Sequence, residues 1–296
     1  MPAPAAGYAG GGAEPYGAAR TAGGDGAARS AAARGRHANG RARMTICYTT
    51  EAAPATPPRP NEDHVVCGPD WAVVLDGATP APGADSGCRH GVPWLVGRLG
   101  GALALALSSG TRAGLADILE QAIRDTMAAH AGTCDLANPR SPSATVSIVR
   151  RRGDTLDYLA LCDSPIVLRH RDGSVRVVLD DRTARLPGGR PYPPGLVDEM
   201  RNRPGGFWVA STKPEAAREA LTGAVPVTDL DGVLVCTDGV HRLVEWYGHT
   251  WAQVVTIAEK YGPARLVELV REAERTHGPR GTAKVHDDAT AVWIPL

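Results

Sequence analysis

The sequence of 296 residues has three lysines (Lys213, Lys260 and Lys284) and a single phenylalanine, Phe207. Arginine carries the remaining positive charge. With the excess of Ala, Gly and Pro, this describes a GC-rich coding sequence rather than a function. There is no uninterrupted apolar run of about 18 residues, so no segment is expected to span a membrane. The longest candidate, "GVPWLVGRLGGALALAL", is broken by Pro93 and Arg98 and reads as a buried helix. There is no apolar secretory signal and no C-x-x-C pair. The six cysteines, Cys47, Cys67, Cys88, Cys134, Cys162 and Cys236, therefore read as reduced thiols of a cytoplasmic protein. Cys162 and Cys236 fall in apolar strand-like runs, where Cys behaves as a small hydrophobe. The "CRH" at Cys88–His90 suggests zinc, but nothing elsewhere in the sequence completes a site. Net charge is also missing, with 32 basic and 32 acidic side chains. That balance excludes nucleic acid as the main partner.

What is present divides the chain unevenly. Residues 1–43 are rich in Ala, Gly and Arg and hold six Arg against Glu14 and Asp25. Such a segment buries too little apolar surface to offset its ordering entropy and is expected to be disordered. Met44 follows at once, an alternative start for an ordered unit over 44–296. That unit is mildly acidic, which suits a protein that collects cations. Strand-like runs appear at "WAVVLDG" (71–77), "ATVSIVRR", "TLDYLALCDS", "PIVLRH", "SVRVVL", "GFWVAST", "DGVLVCTDG" and "DATAVWI". The "RGD" and "RDG" between neighbouring runs read as hairpin turns. Helical periodicity marks residues 90–109, 114–131, 249–262 and 263–278, with a short helix over "KPEAAREALTG". Hairpins and separate helix blocks predict an α+β fold with antiparallel sheets. Trp71, Trp208 and Trp293 read as core. "PGGRPYPPG" (187–195) reads as a surface loop.

Carboxylates recur at strand ends: Glu62 and Asp63 in "NED", Asp76 in "VVLDG", Asp163 in "ALCDS", Asp238 in "VCTDG", and Asp287 and Asp288 in "HDDAT". Asp76-Gly77 and Asp238-Gly239 share one design. The strand fixes the carboxylate, and glycine permits a sharp turn and a close approach. Asp172-Gly173 and Asp231-Gly232 are read as ordinary turns. Gathered together, all-oxygen ligands on several strand ends suit hard cations such as Mg²⁺ or Mn²⁺.

The ordered set "RPNED … VVLDGAT … SATVSIV … LALCDSPIVL … VLVCTDGVHRLV … HDDATAVWI" resembles the protein phosphatase 2C type (PPM) of metal-dependent serine/threonine phosphatases, in a divergent, actinobacterial-like branch. The resemblance covers roughly residues 59–296. It implies a four-layer α-β-β-α sandwich of two antiparallel sheets flanked by helices. It implies two Mn²⁺ or Mg²⁺ ions, with Asp76 bridging them, the Gly77 carbonyl on one, and Asp238 and Asp287 completing the other. Asp63 would hold metal-bound water, with Glu62 nearby, and Arg59 would grip phosphate. The implied reaction is direct hydrolysis of phosphoserine or phosphothreonine in a protein substrate, without a phosphoenzyme, by a cytoplasmic monomer.

The departures concern substrate handling. "ATPAPGADSGCRHG" replaces a Met-Gly-Gly-His type run, leaving His90 as the nearest candidate acid. Cys162 stands where the hairpin usually has glycine, and Asp288 where Asn is usual. Arg59 stands three residues before Glu62 rather than four. These changes keep open a second expectation, a pseudophosphatase that binds ions without turnover. His241 and His286 are candidates to contact metal-bound water or to donate to a ligand. The His-x-x-Arg of "HGPR" (277–280) matches a recombinase box, but no downstream Tyr follows.

Overall fold

The computed structural model describes residues 43–78, 83–189, 192–193, 195–278 and 284–296. The expected tail falls almost wholly outside these, as do Arg280 of "HGPR" and parts of the 187–195 loop.

Among the described residues, ten strands build two five-stranded antiparallel sheets. One has the order β2 (His64–Cys67), β3 (Trp71–Ala78), β4 (Ser143–Arg152), β5 (Thr155–Leu161), β8 (Leu221–Pro226). The other runs β1 (Cys47–Glu51), β10 (Ala289–Pro295), β9 (Leu230–Cys236), β6 (Ile166–His170), β7 (Val175–Val178). The predicted hairpins are present: Gly153 and Gly173 adopt φ of +60° and +86° in the turns joining β4 to β5 and β6 to β7. Only a residue without a Cβ adopts such values at little cost.

The strands alternate their contacts with period two. Val73 and Leu75 of β3 join α1 (Val92–Ser108) and α2 (Leu115–His130) in an outer core. Ala72 and Val74 face the opposite way, into the core between the sheets. β9 and β10 repeat this. Val233, Val235, Val292 and Ile294 fill the inter-sheet core, while Leu234, Cys236, Ala291 and Trp293 pack on α4 (Asp238–Glu245), α5 (Trp251–Tyr261) and α6 (Pro263–His277). Both faces of these strands are buried, which explains their continuous apolar runs. The result is the expected α-β-β-α sandwich. Trp71, Trp208 and Trp293 are all buried.

Four local expectations are corrected. "GFWVAST" is no strand; its residues form isolated bridges, Arg201 to Phe207 and Ala144 to Ala210. "KPEAAREALTG" is a 3-10 turn over Pro214–Glu219 followed by β8. The free edge of β5 needs backbone partners, and that demand overrides weak helix propensity. Asp231-Gly232 is not a turn but lies within β9, where a Cβ on residue 232 would sit 2.4 Å from the Trp293 ring. Asp238-Gly239 does not merely turn the chain; it opens α4, a helix the periodicity did not reveal.

The topology brings the ends of β3, β5 and β9 and the starts of β2 and β10 to one rim, as pairings Leu75 with His64, Val146 with both Leu75 and Leu161, and Ala291 with Cys236 require. Leu75 is fully buried directly beneath this rim. Leu75→Ala should lower unfolding stability by about 3 kcal/mol in a urea titration, through lost burial and the cavity left behind.

Candidate metal centre

Two glycines bring the acidic loops together. A Cβ on Gly77 would lie 2.2 Å from Val92 Cγ1 and 2.6 Å from the Glu62 carbonyl oxygen. A Cβ on Gly239 would lie 2.0 Å from the Asp288 carbonyl oxygen. Each Asp-Gly pair therefore does two jobs. The aspartate stands at the end of a rigid strand (Asp76 in β3) or just beyond it (Asp238, opening α4 after β9), and the glycine lets a second acid-bearing loop pack against it.

Asp288 closes this arrangement. Its two carboxylate oxygens accept from the backbone N–H groups of Ala53 and Glu62, each at 2.7 Å. Both acceptors of one side chain thus tie the end of the chain to the β1–β2 connection. Asp63 is buried and accepts from Thr237 Oγ1 at 2.8 Å. Thr237 Oγ1 accepts in turn from the Thr290 backbone N–H at 3.0 Å. Asn61 caps the turn by accepting from the Asp63 N–H at 2.9 Å and donating to Thr50 Oγ1. These bonds pin "NED" onto the ends of β9 and β10.

Asp76 and Asp238 meet directly, the Asp238 N–H donating to Asp76 Oδ2 at 3.2 Å. Burial and then the charges of Asp238, Asp63, Asp163 and Asp287 push the Asp76 carboxyl well above its usual range. Asp238 is raised to about 7 by surrounding protein and by Asp287 and Asp163, against Arg242 and Lys284. Its side chain still reaches solvent, so the neighbouring carboxylates are the cause that persists once water is counted. Asp63 is raised by burial and by Asp238 and Asp288, although Thr290 and Thr237 oppose this.

Asp163 belongs to this group, which the residue-by-residue resemblance did not assign. It acts on both Asp76 and Asp238 and accepts from Thr183 Oγ1 at 2.8 Å. The strand-end signal "ALCDS" already contained it. Tyr192 donates to the Thr183 carbonyl and so reaches this side of the rim. Cys162, just before Asp163, has φ of +67°. A residue with a Cβ held in that left-handed backbone carries strain of roughly 1 kcal/mol.

Asp287 is oriented by a buried ion network. Arg242 Nη2 donates to Asp287 Oδ2 at 2.7 Å, and Arg242 Nη1 to Glu274 Oε1 at 3.1 Å. Glu274 also accepts from Arg271 Nη1 at 2.9 Å and pairs with His286 Nδ1 at 2.7 Å. His286 thus serves Glu274 rather than a metal-bound water. His241 stacks on Trp251, with ring centroids 5.1 Å apart. Arg59 is exposed on the β1–β2 connection. His90 stacks on Trp94, and its Nδ1 faces two cysteine sulfurs, so it does not stand as a free acid.

Asp76, Asp163, Asp238 and Asp287 are therefore hard oxygen donors that repel one another, a set that fits divalent cations such as Mg²⁺ or Mn²⁺. They ring the rim rather than close on one point. Among the described residues, the one set of such groups with all ligand atoms within 4.8 Å lies elsewhere.

The sequence profile of the family Protein phosphatase 2C matches residues 59–271, and the chain belongs to that family. Solved structures share the fold. The Mycobacterium tuberculosis serine/threonine phosphatase PstP/Ppp is 21% identical, with 86% of this chain and 99% of that chain covered and a TM-score of 0.57. The PstP catalytic domain in complex with two manganese ions is 19% identical over 86% of this chain and 98% of that chain, at a TM-score of 0.54. Staphylococcus aureus Stp1 is 12% identical over 89% and 99%, at 0.56. No curated protein sequence matches the chain. No helix among the described residues is long and apolar enough to cross a membrane.

The carboxylates also set a stability signature. Asp238 binds a proton more tightly folded than unfolded, so its contribution is present below about 4 and is lost as pH rises through about 7. In metal-free protein, Asp238→Asn should therefore melt above wild type, by a margin that widens between pH 4 and 7. Thermal denaturation in EDTA checks this, and excess Mn²⁺ should stabilise wild type more than the variant.

Proposed function

We propose that this chain is a Mn²⁺- or Mg²⁺-dependent phosphatase of phosphoserine and phosphothreonine in proteins, acting by direct hydrolysis. The observation that carries the reading is the gathering of Asp76, Asp163, Asp238 and Asp287 along one rim, whose mutual repulsion divalent cations would relieve. Asp76, the Gly77 carbonyl, Asp238 and Asp287 would hold two ions, with Asp163 a further ligand. When bound, such ions lower the pKa of water from about 16 towards about 7 and offset phosphate charge.

The chain's own groups do the remaining work. Arg242 fixes the rotamer of Asp287, and Glu274 holds Arg242 in place. Asp63, fixed by Thr237, and Glu62, held at its backbone by Asp288, would accept hydrogen bonds from water at the rim. Arg59, on the same connection, is left to meet the phosphate. No Ser or Cys nucleophile is needed. Six cysteines that are all free support a reducing, cytoplasmic setting.

The test is hydrolysis of p-nitrophenyl phosphate and of a phosphothreonine peptide, with Mn²⁺ or with EDTA. Turnover should require the metal and fall about 100-fold or more in Asp76→Asn and Asp238→Asn. Arg59→Ala should raise KM more than it lowers kcat. Full activity in either aspartate variant, or in EDTA, would refute the reading.

A further inference from the structure

Cys88 and His90 have no partners near them in the sequence, but the fold supplies them. His130 is the last residue of α2, and Cys134 follows in the next loop. The ligand atoms of Cys88, His90, His130 and Cys134 all lie within 4.8 Å of one another. Cys88 Sγ is 3.4 Å from Cys134 Sγ, 3.5 Å from His130 Nδ1 and 3.7 Å from His90 Nδ1. Cys134 Sγ is 3.4 Å from His90 Nδ1.

A tetrahedral zinc ion, with Zn–S bonds near 2.3 Å and Zn–N bonds near 2.0–2.1 Å, sets ligand-to-ligand edges of roughly 3.3–3.8 Å. All four distances fall in that range. A disulfide needs its sulfurs at about 2.0 Å, and both cysteines are free. The surroundings fit a built site. Trp94 stacks on His90 at 4.1 Å and meets His130 edge-on at 4.3 Å, fixing both imidazoles. The His90 backbone N–H donates to Cys88 Sγ at 3.3 Å, a bond that steadies a thiolate. Two loops are already knitted here, the Asp135 N–H donating to the Gly87 carbonyl at 2.8 Å.

We infer that Cys88, His90, His130 and Cys134 form a structural Cys₂His₂ zinc site, chemically separate from the carboxylate rim. On binding, both thiols release their protons to solvent, and each neutral imidazole coordinates through Nδ1 with its proton on Nε2. Two thiolates neutralise Zn²⁺, so a half-buried site carries no net charge. Soft sulfur and imidazole select zinc, while the rim's oxygens suit Mg²⁺ or Mn²⁺. Four ligands close the coordination sphere, which assigns the ion a structural role. It would join the loop before α1 to the end of α2 and brace Val92, the residue against which Gly77 packs.

This inference does not rest on the phosphatase reading. The test is metal content of the full chain, purified with reductant and desalted. One zinc per chain is expected, retained in Asp238→Asn and lost in Cys88→Ser and Cys134→Ser. Cobalt replacement of wild-type zinc should give intense visible tetrahedral bands with thiolate charge transfer, a readout independent of whether variants fold. Zinc-free protein whose cobalt form lacks those bands would overturn the site. So would a Cys88–Cys134 disulfide found by peptide mass, or zinc retained by both cysteine variants.

Discussion

The repulsion among the acids at one rim of the sandwich is the constraint on which the rest depends. Like charges at the ends of β3, β5 and β9 and before β10 push apart, so the fold must hold them by other means. Those means are short-range and stiff: Gly77 against the Glu62 backbone, Gly239 against the Asp288 carbonyl, and Asp288 bridging Ala53 and Glu62. Packing of this kind tolerates no added Cβ. The apolar sandwich beneath supplies the stability that keeps the acids together.

The protein thus has two regions with opposite coordination chemistry. The rim offers carboxylates and is open to solvent at Asp238. The loop cluster beside α2 offers two sulfurs and two imidazole nitrogens at tetrahedral spacing. One connection runs between them, from Gly77 at the rim through Cys88 and His90 into α1. The stretch that departs most from the family pattern is therefore the one that carries the second cluster. That run supplies Cys88 and His90, two soft ligands, to a cluster away from the rim.

The buried network of Arg242, Glu274, Arg271 and His286 shows how the far side is organised. Arg242, Glu274 and His286 pair across α4, α6 and the turn before β10, Arg271 reaches Glu274 through Nη1 and lies 4.0 Å from Glu51 of β1, and Asp287 is the outlet towards the rim. Removing Glu274 would leave two buried guanidinium groups short of a partner, a costly change in a low-dielectric interior.

Much of this was legible in the chain. The continuous apolar runs of β3, β9 and β10, the two hairpin turns, and the long helices α1, α2, α5 and α6 follow from local apolar patterning. So do the strand-end acids, because a carboxylate next to glycine after an apolar run is a local signal. What the chain alone left undecided depended on partners distant in sequence. β8 formed because β5 had an open edge, and Asp231-Gly232 stayed in a strand because Trp293 lies across it. The role of Asp288 as a clamp could not be read, since its partners lie 235 and 226 residues away. Cys88 and Cys134 are separated by 46 residues with two helices between them. Only the packing of α1 on α2 brings those thiols within reach of one ion. Sequence determined the local chemistry, and tertiary structure decided which of those groups meet, because a metal site depends on distance in space.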